Sequence, residues 1–170
     1  VYGSGVIDNL AESEEEAFDI IKRFLSYLPN NVWNMPPRVE VGDDPERKDE
    51  ELISIIPREK NRPYDPYAIL NAVLDKDSFF EITPHYGQSR IVGFARMNGY
   101  PIGLMINNPN FLNGSTDVAS GTKIIRFIQL CDTFHLPMVY FADEPGFVSS
   151  PEQQAQGILR AGAKLLCATY

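Results

Sequence analysis

Cysteine, histidine and long apolar runs are all scarce in this 170-residue chain, and each scarcity closes off a class of function. Two cysteines, Cys131 and Cys167, cannot build the disulfide framework of a small secreted domain. Both fall in apolar periodic segments, so each reads as a small core residue in a reducing compartment: cytoplasmic, or the mitochondrial matrix in a eukaryote. His85 follows Pro84 and His135 precedes Leu136-Pro137, in turns without carboxylate or cysteine neighbours at ligand spacing. Metal chemistry and a Ser/His/Asp triad are therefore not expected. No stretch approaches the ~20 apolar residues that span a bilayer, and Val1 to Val6 lacks the pattern of a secretory signal, so no membrane role is expected. Fifteen Lys and Arg stand against 23 Asp and Glu, for a net charge of −8. Without a basic stripe interleaved with aromatics, nucleic acid is not an expected partner. No phosphate-loop or dinucleotide fingerprint follows any apolar run.

What is present is a globular composition, 44% hydrophobic and 22% charged. Ser13-Glu14-Glu15-Glu16 reads as a capping box opening an amphipathic helix through Phe18, Ile21, Phe24, Leu25 and Leu28. Pro29-Asn30-Asn31 stops it. Residues 30–63 carry Pro36, Pro37, Pro45, Pro57 and Pro63 and no periodicity. They read as a linker between domains, resting on other surfaces through Trp33 and the Leu52 to Ile56 patch. Asp65 then caps a helix with Pro66 at its first position and Ile69, Leu70, Val73 and Leu74 on one face. Strands are expected at Phe79–Ile82, Ile91–Met97 and Pro101–Ile106, the last two joined by an Asn98-Gly99 hairpin turn. Asn113-Gly114-Ser115 reads as a turn. A helix from Asp117 to Phe134 leads to a strand at 137–142, a crossover that makes the two strands parallel. The last helix is expected to run unbroken from Pro151 to the end. Arg96, Lys123 and Lys164 read as solvated charges, and the Leu and Ile stripes at 124–134 and 158–166 as core.

The most telling stretch is Phe141-Ala142-Asp143-Glu144-Pro145-Gly146-Phe147, after the apolar run Leu136 to Tyr140. It reads as a buried strand breaking into a loop. Ser150 as N-cap, Pro151 and Gln153 reaching back then start a helix. Strand, glycine loop and helix start would bring free backbone N–H groups to the carboxyl end of a strand, where α/β proteins hold anions. An ordinary strand-to-helix connection is the plain alternative. Asp132 and Asp143 read as a helix-end and a loop acid, not as an acid/base pair.

The ordered set of motifs resembles one family. Tyr27-Leu28-Pro29-Asn30, Arg62-Pro63-Tyr64-Asp65, Gly93-Phe94-Ala95-Arg96 with Asn98-Gly99, and Asn107-Asn108-Pro109 come first. Cys131-Asp132-Thr133-Phe134, Asp143-Glu144-Pro145-Gly146-Phe147 and Gly162-Ala163-Lys164-Leu165-Leu166 follow. From residue 4 to 170 the chain is similar to the carboxyltransferase (beta) subunit of biotin-dependent acyl-CoA carboxylases of the propionyl-CoA/acetyl-CoA type. The resemblance implies an α/β fold, part of a crotonase-like (ClpP/crotonase) ββα spiral preceded by a helix and an extended linker. Residues 1–28 would be the tail of the first crotonase-like half, 29–63 the linker and 64–170 the start of the biotin-side half. It implies transfer of a carboxyl group from carboxybiotin to the α-carbon of propionyl-CoA or acetyl-CoA, with enolate-like anions held by backbone N–H groups and no catalytic side chain. The glycine-rich segments that form those anion holes in the family would fall outside residues 1–170, so the chain alone is expected to be inactive. The biotin-side pocket would include Gly146 and Phe147, with Asn108 and Pro109 as neighbours. Implied partners are a biotin carboxyl carrier, a biotin carboxylase and further copies of the parent subunit; no metal is implied. A decarboxylase of the same family and a non-catalytic assembly module are the alternatives.

Overall fold

A computed structural model describes residues 2–59 and 62–170, so residue 1 of the N-terminal segment and residues 60 and 61 of the linker lie outside it. Its elements are α1 (Glu14–Leu25), α2 (Pro66–Val73), β1 (Phe80–Ile82), β2 (Arg90–Met97), β3 (Tyr100–Asn107), α3 (Val118–Thr133), β4 (Met138–Phe141), α4 (Pro151–Ala155) and α5 (Ile158–Thr169). The four strands form one sheet in sequence order, antiparallel from β1 to β3 and parallel between β3 and β4. β2, β3, α3 and β4 are thus one complete ββα turn with its return strand.

The sheet is covered on both faces, which is why β2 and β3 read as unbroken apolar runs. Tyr27, Phe80, Val92, Phe94, Met105, Ile124, Phe127 and Cys131 pack between the sheet, α3 and the end of α1. Leu70 and Leu74 of α2 pack on Ile91, Ala95, Ile102, Leu104 and Ile106 of the other face. The hairpin turn forms as expected, with Asn98 and Gly99 both at positive φ. Caps also form where they were read: Ser13 Oγ accepts from Glu16 N, and Asp65 caps α2.

Several expectations are corrected. The last helix is broken: Gly157, at φ 86, separates α4 from α5, because a left-handed residue cannot continue the α ladder. Gln153 does not reach back to its cap; its Oε1 accepts from Val118 N at 2.8 Å, tying α4 to the start of α3. Cys167 is exposed while Cys131 is buried. Only the 124–134 stripe is core throughout its inner face, since Leu159 is 84% exposed and Leu166 is exposed as well. β4 is an edge strand alternating between exposed and half-buried positions, not a buried one.

Arg96 and Lys123 are buried. Lys123 Nζ donates to the carbonyls of Thr83 (2.9 Å), Tyr86 (3.0 Å) and Arg90 (2.9 Å). Arg96 donates to Ser26 O at 2.8 Å and lies 4.8 Å over the Tyr27 ring. Both were misread because long side chains can cross a core when every donor finds a carbonyl. The segment 29–59 leaves Trp33 90% exposed and Ile53 88%, while Leu52 and Ile55 of the expected patch are half-buried, and polar contacts add to its fastening. Val39 N donates to Gly99 O (3.1 Å), Arg38 to Asn98 (3.0 Å), and Arg47 to Leu74 O (2.5 Å).

Candidate functional site

Two loops meet at the carboxyl end of the parallel pair: residues 108–117 after β3 and 142–150 after β4. Strand-end side chains join them. Asn107, closing β3 and fully buried, donates from Nδ2 to Gly114 O at 2.9 Å. Its Oδ1 accepts from Tyr140 Oη and from Asp143 N, each at 3.0 Å. One amide therefore holds both loops.

Arg90, opening β2, does the same with a charge. It is 1% exposed, and its Nη1 donates to Gly114 O (2.6 Å) and Ser89 O (3.3 Å). Nη2 donates to Thr116 Oγ1 at 2.8 Å and pairs with the Glu144 carboxylate. Nε is buried with no acceptor. Burial lowers this guanidinium from its ordinary pKa, while Tyr140, Asp117 and Tyr64 act to raise it. An arginine remains charged under such a shift, so the carboxylate of Glu144 is its natural counter-ion.

Thr116 completes the arrangement. Its N–H donates to Gly146 O and its carbonyl accepts from Val148 N, both at 2.9 Å, so Phe147 runs beside it as an isolated parallel bridge. Its Oγ1 donates to Glu144 Oε2 at 3.2 Å, and Glu144 Oε1 accepts from Gly146 N at 3.0 Å. From the linker side, Tyr64 Oη donates to Asp143 Oδ2 at 2.9 Å. Burial first, then the Asp143 carboxylate, push that phenol above its ordinary pKa and keep it a donor.

The sequence-expected residues now have places. Gly146 is half-buried at φ 121, with open space where a side chain would stand. Phe147 is 52% exposed, and its ring lies against Gly162 of α5, where an added Cβ would stand 2.9 Å from Cζ. Asn108 is buried and turns on itself: its Oδ1 accepts from Asn110 N and Nδ2, both at 3.2 Å. Pro109 lines a cleft of about 620 Å³ with Ile56, Tyr64, Asn113 and Asp143, which Gly146 and Phe147 do not line. Four of the N–H groups expected to be free here are engaged: those of Asp143, Gly146, Val148 and Gln153 donate to Asn107 Oδ1, Glu144 Oε1, Thr116 O and Ser150 Oγ. Within residues 143–153 these bonds tie the loop to β3, to Thr116 and to its own side chains.

Arg90 and Thr116 carry no reading from the sequence, and Asn107, Tyr64 and Tyr140 figure there only as motif members, not as site residues. The available signal was a charge or amide abutting an apolar strand, at Arg90 before Ile91 and at Asn107 after Ile106. A larger groove, about 670 Å³, lies between α1, α3 and β1 and is lined by neither loop. Among the described residues no three His, Cys, Asp or Glu side chains gather as a metal site, and no helix is long and apolar enough to cross a membrane.

Comparison with known proteins agrees with this architecture along the whole chain. The family model described as "Carboxyl transferase domain" matches residues 1–170. The carboxyltransferase subunit of propionyl-CoA carboxylase from Haloferax mediterranei is 44% identical over 97% of this chain and 32% of its own length. The alpha subunit of methylmalonyl-CoA decarboxylase from Veillonella parvula is 39% identical over the same shares. Among solved structures, the 12S hexamer of transcarboxylase, with hydrolysed methylmalonyl-CoA bound, aligns with a TM-score of 0.93 at 32% identity. That alignment covers 98% of this chain and 32% of the other. The chain spans about a third of the length of the curated relatives it matches. Its mixed α/β architecture is that of the crotonase-fold carboxyltransferases. By family match, sequence identity and fold together, this chain belongs to the carboxyl transferase domain family.

Proposed function

We infer that the chain is part of a biotin-dependent acyl-CoA carboxyltransferase, moving a carboxyl group from carboxybiotin to the α-carbon of a short acyl-CoA such as propionyl-CoA. The observation that carries this reading is the match of the whole chain, in sequence and in fold, to carboxyltransferases. Propionyl-CoA carboxylase subunits recur among the relatives at 38–44% identity, against 39% for the decarboxylase, which favours carboxylation as the direction.

Residues 64–170 begin the biotin-side half, 29–63 connect it to the preceding half and 1–28 are the end of that half. Gly146 and Phe147 are its biotin-side wall. The open space beside Gly146 and the half-exposed Phe147 ring fit a flat, partly apolar group. Bound carboxybiotin supplies the carboxyl group. The chain's own residues orient and shield: Phe147 offers an apolar face, and the engaged N–H groups keep the wall rigid. Pro109 and Asn108 shape the neighbouring rim. Enolate-like anions are held by backbone N–H groups of other segments of the subunit, so this component calls for no metal. A biotin carboxyl carrier and a biotin carboxylase are its partners, and the hexamer of transcarboxylase 12S supports assembly with further copies of the subunit. It works in the cytoplasm, or in the mitochondrial matrix of a eukaryote.

The test is carboxyl transfer by the full-length subunit from a carboxybiotinylated carrier to propionyl-CoA. Wild type transfers, and Phe147→Ala raises the KM for the carrier about tenfold with the acyl-CoA KM unchanged, the effect of losing one apolar wall. A full-length wild type that transfers nothing to any acyl-CoA overturns the reading.

A further inference from the structure

We propose that Arg90 is a positioning residue that locks the Asp143–Phe147 loop through Glu144, and thereby sets the affinity for the carboxyl donor. The inference rests on the function proposed above for its second half, though not for its first.

The connections are specific. Arg90 sits at the start of β2, a strand buried on both faces, so its Cα is fixed by the sheet. Its guanidinium reaches Gly114 and Thr116 in the first loop and Glu144 in the second. Glu144 in turn accepts from the Gly146 N–H, and Thr116 holds the Gly146 carbonyl. Arg90 and Thr116 together tie Gly146 and Phe147 to the sheet, Arg90 through the Glu144 carboxylate, which also accepts from Thr116 Oγ1 and Tyr140 Oη, and Thr116 through its backbone. A fork of fixed geometry can reach both loops at once; a flexible ammonium does so only in part.

Glu144 is 36% exposed at its side chain, whereas Arg90 is fully enclosed. Losing Arg90 would leave Glu144 free to turn into water, and the loop would swing with it. The open space beside Gly146 would then no longer have a fixed boundary. Asn107 anchors only the start of the loop, at Asp143, so it cannot replace the lock at 146–148.

The experiment uses the full-length subunit in its holoenzyme and two independent readouts. Amide hydrogen exchange reads the loop. In Arg90→Met the amides of Thr116, Gly146 and Val148 should exchange at least about tenfold faster, while the β2–β3 ladder keeps its protection. Kinetics read the consequence: the carrier KM should rise about tenfold, and the acyl-CoA KM should stay within about twofold. Glu144→Leu should reproduce both effects. The double variant Arg90→Met/Glu144→Leu should fall well short of the sum of the two singles, because they share the Arg90–Glu144 contact. Arg90→Lys should recover protection only in part, lacking the fork.

Unchanged exchange at 116 and 146–148 in Arg90→Met overturns the lock. So does additive loss in the double variant. Faster exchange with an unchanged carrier KM overturns the positioning role. Faster exchange in a holoenzyme whose wild type carries out no transfer upholds the lock and sinks the function instead.

Discussion

Lys123 and Arg90 are both cations buried beneath the same end of the sheet, but they are satisfied in opposite ways. Lys123 donates to three backbone carbonyls, all in the β1–β2 connection and the first residue of β2. All three acceptors are main-chain atoms. Arg90 shares its donors between loop carbonyls, a hydroxyl and the partly exposed carboxylate of Glu144. Lys123 therefore secures the scaffold, and Arg90 transmits the scaffold's rigidity to a loop. Burial alone does not separate the two roles; the mobility of the acceptor does.

The comparison breaks most visibly at Lys123. Lys123→Met removes three hydrogen bonds, leaving Thr83 O only its bond from Tyr86 N, and should destabilise the protein by about 3–5 kcal/mol, measured by urea unfolding. Arg90→Met should cost less, about 2 kcal/mol in the same assay, because Glu144 can regain water. An equal loss for both would erase the distinction.

Titration sharpens it further. Burial pushes the Lys123 ammonium down to about 8, with Glu81 and Asp117 opposing. Between that value and its ordinary range near 10.4 the unfolded chain binds more protons, so stability should rise with pH from about 8, by at most ~1.4 kcal/mol per unit. Cys131 acts the other way. Burial pushes its thiol up to about 12, so the stability it contributes is whole below pH 9 and falls as pH climbs towards 12. Unfolding free energies from pH 7 to 11 should show the rise vanish in Lys123→Met and the fall vanish in Cys131→Val. Arg90→Met should leave both slopes in place.

The smallest effect is expected at Gly162. Alanine there improves helix propensity by up to about 1 kcal/mol but crowds Cζ of Phe147. Stability should change by less than about 1 kcal/mol, while the Phe147 ring moves and the carrier KM shifts. A carrier KM identical to wild type would mean that Phe147 does not form the wall.

Much of the fold was legible in the chain. Ser13, Asp65 and Ser150 announced helix starts because a cap is a local event between residues three apart or fewer. Asn98-Gly99 announced the hairpin because few residues adopt two successive positive φ values. The break at Gly157 was less legible, since a lone glycine in a periodic run can be tolerated within a helix. Arg96 and Lys123 read as solvated charges for a different reason: apart from Gly99 beside Arg96, their carbonyl partners lie 33 to 70 residues away in sequence, where no local pattern marks them. At the site, Asp143 to Phe147 stood out as a motif, but its bonds to Arg90, Asn107 and Thr116 did not, because those partners lie 28 to 54 residues away.

Composition, caps, turns and apolar runs determined by themselves that this is a mixed α/β chain with a ββα unit, and the order of its motifs determined the family it resembles. Those features depend on near neighbours and on spacing. The tertiary structure alone decided that Arg90, Asn107 and Thr116 would meet Glu144 and Gly146. That meeting depends on β2 pairing antiparallel with β3 and β4 pairing parallel, which brings the start of one strand beside the ends of two others. A buried arginine has little stability without its carboxylate, and no local pattern states which carboxylate the sheet will deliver.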